Sequence, residues 1–105
     1  MLLKTVDAVS EQFPEHIPII DADVAPLLQE RGVVLLGVDN PSVDPLTSKD
    51  LAAHHALYKH HVQIVEGLDL SRIDSGLYEL ICLPLKIEGA DGSPVRAVIR
   101  EKNNK

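Results

Sequence analysis

The chain has 105 residues, a length that suits one small domain with a modest core and no need of covalent staples. Apolar residues make up 45% and charged residues 25%, and sixteen acids against ten Lys plus Arg leave a formal net charge of −6. That balance argues against nucleic acid, whose phosphates call for clustered cations; no apolar run approaches the roughly 20 residues of a membrane helix; and a lone cysteine, Cys82, excludes an internal disulfide.

With no Trp, one Phe and two Tyr, the core is expected to be Leu/Ile/Val. MLLKT (1–5) is a short apolar run and the first predicted strand, either placed mid-sheet or preceded by further chain. It is too short and too soon charged for a signal peptide, so the expected compartment is the reducing cytoplasm. Residues 6–20 hold two prolines and no steady period, which predicts an irregular connection. A first helix is predicted from a cap at Asp21 or Asp23 through Arg31, with Val24, Leu27, Leu28 and Arg31 on one face. Pro26 is tolerated in its first turn, and Gly32 supplies the stop. VVLLGVD (33–39) is a continuous apolar run, the pattern of a strand buried on both faces.

The loop GVDNPSVDP follows, with Asp39, Ser42 and Asp44 as pocket-lining candidates or, on the more common reading, as turn formers. Ser42 lacks the GxSxG setting of a hydrolase nucleophile. A second helix is predicted from Thr47 or Ser48 to about His60, with Asp50 in its first turn. Leu51, His54, His55 and Tyr58 share a face by spacing. VQIVEGL (62–68) is the next strand, and a turn-rich link covers 68–76. LYELICLPLKIEG (77–89) is a long strand with a bulge or edge position at Pro84. The turn ADGS (90–93) then returns SPVRAVIRE (93–101) antiparallel, with Val95, Ala97 and Ile99 on one face. The expected class is α/β: a mixed sheet with two helices, within a single domain spanning 1–105.

Chemistry concentrates between Asp39 and Glu66. His54 on the helix and Glu66 at a strand end stand twelve residues apart, and a tight turn at His60–His61 brings them together. An imidazole and a carboxylate converging in this way suit one borderline cation, Zn²⁺ or Mn²⁺. On spacing alone the same pair reads more often as a surface ion pair, since zinc usually takes three or four protein ligands. His60 and His61 suit the negative end of a helix dipole, His16 reads as loop, and Cys82 as an inert core thiol.

Three parts of the chain carry a resemblance: the loop Pro-Ser-Val-Asp-Pro (41–45), the His54…Glu66 spacing, and the LPLKI…GSPVR segment (83–87 and 92–96). From MLLKT to about Arg100 the chain resembles the C-terminal half of the cyclase family of metal-dependent hydrolases, and within it the bacterial kynurenine formamidases (arylformamidases). The resemblance implies a swivelling β/β/α fold. It implies divalent-metal hydrolysis of an arylformamide such as N-formylkynurenine, in a homo-oligomer, typically a dimer. It makes His54 and Glu66 two of the metal ligands, with Zn²⁺ the expected ion and Mn²⁺ the alternative. The family's HxGTHxDxPxH motif, which supplies the remaining ligands and the acid/base histidine, does not occur among these 105 residues. The ligand set is therefore incomplete. The chain is expected to be a fragment, a decayed gene product or one half of a two-chain assembly, and to turn over little or nothing alone. The competing expectation is a non-catalytic assembly or binding module.

Overall fold

The computed structural model describes residues 1–7 and 17–102. Much of the connection predicted over 6–20, His16 included, lies outside the described residues. The chain divides into two compact units, Met1–Ile73 and Asp74–Lys105.

The first unit is a three-stranded parallel sheet in the order β1-β2-β3, formed by β1 (Leu2–Leu3), β2 (Leu35–Val38) and β3 (Gln63–Val65), with helices α1 (Val24–Glu30) and α2 (Ala52–Lys59) in the connections. β2 is central, which explains its unbroken apolar run: Leu36, Gly37 and Val38 are all buried. Leu36 pairs with Ile64 and Gly37 with Val65 on one side, and Leu2 with Gly37 on the other. A Cβ at Gly37 would run into the side chains of Leu2 and Leu68, so glycine is what lets them close over the strand. β1 is an outer strand among these three, not a central one.

The core is aliphatic, as expected: Ala25, Leu28, Leu36, Val38, Val43, Ala53, Leu57 and Val62 form one cluster. α1 turns Val24 and Leu28 of its predicted face to the core, and α2 turns a face other than the one its histidines share by spacing. In α1 the buried residues are Ala25 and Leu28, while Leu27 is 48% exposed. In α2 they are Ala53 and Leu57, while His55 is exposed and Tyr58 is 83% exposed. Small alanines let α2 lie close to the sheet, with Ala53 buried beside Leu57 and Ala56 packed against the core. Asp21 Oδ1 accepts from the Asp23 N–H in a turn just before α1 and does not cap the helix.

Each helix ends in the same way. Gly32 (φ +75°) donates to Gln29 O and Val33 to Leu28 O after α1. His61 (φ +61°) donates to Tyr58 O and Val62 to Leu57 O after α2. This is the left-handed closure that glycine usually provides, and at His61 it makes the turn into β3 tight.

The second unit is a hairpin of β4 (Tyr78–Pro84) and β5 (Val95–Glu101), paired antiparallel from Tyr78↔Glu101 to Pro84↔Val95. The ladder runs without a bulge and stops at Pro84, whose missing N–H ends pairing. The connection is thus a ten-residue loop, 85–94, with a turn at Glu88–Gly89 and Leu85 N–H donating to Ser93 Oγ at 3.0 Å, in place of a tight turn at 90–93. Val95, Ala97 and Ile99 do share the half-buried face, opposite Pro84, Cys82 and Leu80. The class is α/β with parallel and antiparallel strands, as the sequence predicts, and these are divided between two sheets.

Candidate functional site

The site grows from the loop that leaves β2. Asp39, first after the strand, accepts from the Thr5 N–H and Val6 N–H at Oδ2 and from the Thr5 hydroxyl at Oδ1. Partial burial pushes its carboxyl up, but these donors outweigh it and hold the group below the usual carboxylate range. The buried Asn40 donates to Pro18 O (2.9 Å), and its own carbonyl accepts from Gly67 N–H (2.8 Å). The loop is therefore tied to the segments on either side, and Val43 is buried in the core.

α2 begins without a cap of its own. Leu51 sits at its N-terminal boundary in a left-handed conformation (φ +50°), and its side chain offers no acceptor. Asp44 supplies one from seven residues upstream. It is 3% exposed, and it accepts from Ala53 N–H at Oδ1 (2.8 Å) and from His54 N–H at Oδ2 (2.9 Å). The predicted start at Thr47 or Ser48 is therefore too early: Ser48 Oγ accepts from Leu51 N–H before the helix, and Asp50 also precedes it.

The same Asp44 Oδ2 lies 2.7 Å from His54 Nδ1. Burial pushes the Asp44 carboxyl up, yet the two backbone N–H groups and the His54 ring outweigh it and hold the pKa down. The other ring nitrogen, Nε2, is 3.1 Å from Glu66 Oε2, and both side chains are 30% exposed. Glu66 follows β3 directly, and its Oε2 accepts from Val43 N–H at 2.9 Å.

The predicted His54–Glu66 pair is thus brought together, across the α2–β3 turn and onto the loop after β2. With Nδ1 hydrogen-bonded to a carboxylate, Nε2 faces a second carboxylate oxygen, an arrangement that needs a proton or a cation between them. Of the loop candidates, Asp39 and Ser42 act as struts, Ser42 Oγ accepting from Asp44 N–H at 3.1 Å. Asp44 belongs to the site. Its signal in the sequence is indirect: an acid shortly upstream of a helix that starts on Leu-Ala-Ala and carries no capping side chain. His60 Nδ1 lies 2.7 Å from Gln29 Oε1, joining α2 to α1, and His55 points away from the core, exposed. Among the described residues, no group of three or more His, Cys, Asp or Glu side chains is arranged to hold a metal ion. No helix among them is long and apolar enough to cross a membrane.

No family model matches the chain. Curated relatives do. It is 54% identical over 101 residues to a kynurenine formamidase of Bacillus anthracis and 55% identical over 101 residues to one of Bacillus cereus. Each match covers 95% of this chain and 48% of the relative, so the chain spans about half the length of the curated relatives it matches. Among solved structures, a "predicted metal-dependent hydrolase" from Bacillus stearothermophilus superposes with a TM-score of 0.79 at 26% identity, over 93% of this chain and 47% of that one. A "potential metal-dependent hydrolase with cyclase activity" superposes with a TM-score of 0.69 at 28% identity, over 80% of this chain and 42% of that one. Sequence and fold agree: nearly the whole chain is similar to about half of a bacterial kynurenine formamidase, and its fold matches that of metal-dependent hydrolases of the cyclase kind.

Proposed function

We propose that this chain supplies His54 and Glu66 as two donors to a divalent-cation site in an amide hydrolase of the kynurenine formamidase kind. The observation that carries the reading is the 3.1 Å approach of His54 Nε2 and Glu66 Oε2. Donor atoms bound about 2.1 Å from a shared cation stand roughly 3–3.5 Å apart, so the pair fits as found. A nitrogen and a carboxylate oxygen suit Zn²⁺ first and Mn²⁺ second. The names of the relatives and the hydrolase descriptions of the structural neighbours support the same class. The chemistry such a cation supplies is polarisation of an amide carbonyl and acidification of water. This chain's part is to hold the two donors: Val43 N–H orients Glu66, and α2 carries His54.

Two donors fall short of the three or four that zinc usually takes, so the remaining ligands and the proton-transfer group come from outside the pair. The substrate class is an arylformamide such as N-formylkynurenine, the assembly a homo-oligomer and the setting the cytoplasm. The 105-residue chain alone binds the cation weakly and hydrolyses little or nothing.

Zinc titration by calorimetry tests the reading. His54→Ala and Glu66→Ala are each expected to weaken Zn²⁺ binding at least tenfold; affinity unchanged in both would contradict it. Arylformamidase turnover by the purified chain, free of host enzyme, would contradict the incomplete-site part alone.

A second reading, an assembly module without chemistry of its own, is favoured by the apolar side chains exposed on the second unit, among them Leu83 at 76% and Leu85 at 60%. Zinc titration separates the readings: both associate in light scattering, but an assembly module without chemistry binds no zinc that depends on His54 and Glu66.

A further inference from the structure

Asp44 does two jobs at once. Its carboxylate satisfies the first free N–H groups of α2, at Ala53 and His54, and its Oδ2 also meets the His54 ring at Nδ1. Helix capping alone explains the first two bonds and leaves the third unexplained, because a cap needs no contact with a side chain inside the helix. The carboxylate is 3% exposed and reaches only these partners among the described residues, so its placement relative to the ring is fixed by packing as well as by hydrogen bonds. A buried carboxylate accepts and cannot donate. The nitrogen facing it must therefore carry the ring proton.

We propose that Asp44 is a positioning residue: it locks His54 with the proton on Nδ1 and turns the Nε2 lone pair toward Glu66, ready for a cation. This rests on the functional reading above only for the last step, the cation. The assignment of the proton does not depend on it. The neighbouring peptide completes the arrangement, since Val43 N–H holds Glu66 Oε2. One buried dipeptide, Val43-Asp44, thus sets the orientation of both donors, although neither residue is itself a donor. Carboxylates placed in this way behind a ligating histidine commonly change metal affinity 10- to 100-fold when removed.

The test uses the full chain and ¹⁵N-detected NMR of the His54 ring, at a pH where the ring is neutral and with no metal added. In the unaltered protein the proton is expected on Nδ1. In Asp44→Ala the Glu66 carboxylate is the remaining acceptor beside the ring, and the proton is expected to move to Nε2. Zn²⁺ affinity, measured on the same samples, is expected to fall 10- to 100-fold. A neutral ring protonated on Nε2 in the unaltered protein would overturn the proposal, and that spectrum decides even where Asp44→Ala fails to fold. Retention of the Nδ1 proton in a folded Asp44→Ala protein would overturn it too, as would an unchanged zinc affinity. If zinc binds neither protein while the proton moves as expected, the locking of His54 stands and the cation reading fails.

Discussion

The two units of this chain are stabilised by different means. All nine buried apolar residues among those described lie in Met1–Ile73, in the sheet, the two helices and the loops that join them. In Asp74–Lys105 none is buried: β4 and β5 form a regular ladder, but Leu77, Ile81, Leu83, Leu85, Ile87 and Val98 are exposed. The helices bury Leu36 and Val38 on one face of β2, and Leu2 and Leu68 close over Gly37 on the other, whereas a two-stranded hairpin has no second layer of its own. Isolated hairpins are marginal in water at best. The difference teaches where the site can be rigid. His54, Glu66, Val43 and Asp44 all belong to the unit with the core, and two of the four are themselves buried in it.

The largest expected effect comes from emptying that core. Leu57 is fully buried, and Leu57→Ala should destabilise the first unit by about 2–5 kcal/mol, read by denaturant titration. A loss below about 1 kcal/mol would mean that the core bears less than its burial suggests. A smaller effect comes from the strut at the mouth of the loop. Asp39 has a folded pKa below its unfolded value, so its contribution is present above about pH 4. That contribution drains away as pH falls through the unfolded and then the folded pKa. Asp39→Asn should therefore lower stability at pH 7 and flatten the acid limb of the stability curve; equal acid dependence in the two proteins would remove Asp39 from that role. The smallest effect belongs to the hairpin. Leu83→Ala should change stability by no more than about 0.5 kcal/mol, as exposed substitutions do. A loss comparable to that of Leu57→Ala would show that the hairpin is covered in solution, and would erase the contrast between the units.

Much of this arrangement is legible in the sequence because period and punctuation are local. The continuous apolar run of β2 announces a strand covered on both faces, Gly32 ends α1, and Val95, Ala97 and Ile99 alternate as strand residues should. The His54–Glu66 pairing is legible because a short helix, a tight turn and a short strand fix its ends. What stays hidden is set by tertiary contact. The start of α2 depends on a carboxylate seven residues before its boundary, so a search for a local cap stops at Thr47 or Ser48 and passes over Asp44. The buried face of α2 carries Ala53 and Leu57, whereas spacing alone singles out the face shared by Leu51, His54, His55 and Tyr58 and does not say which face meets the sheet. The hairpin loop lengthens to 85–94 because pairing ends at Pro84, although Ala90-Asp91-Gly92-Ser93 has the composition of a tight turn.

The central claim is that His54 and Glu66 share one cation. Anomalous diffraction from crystals of the chain grown with zinc tests it most directly. The account predicts a zinc peak about 2.0–2.2 Å from both His54 Nε2 and a Glu66 carboxylate oxygen, with Asp44 still against Nδ1. Zinc bound only at other side chains, with His54 and Glu66 in direct contact and no metal between them, would contradict it.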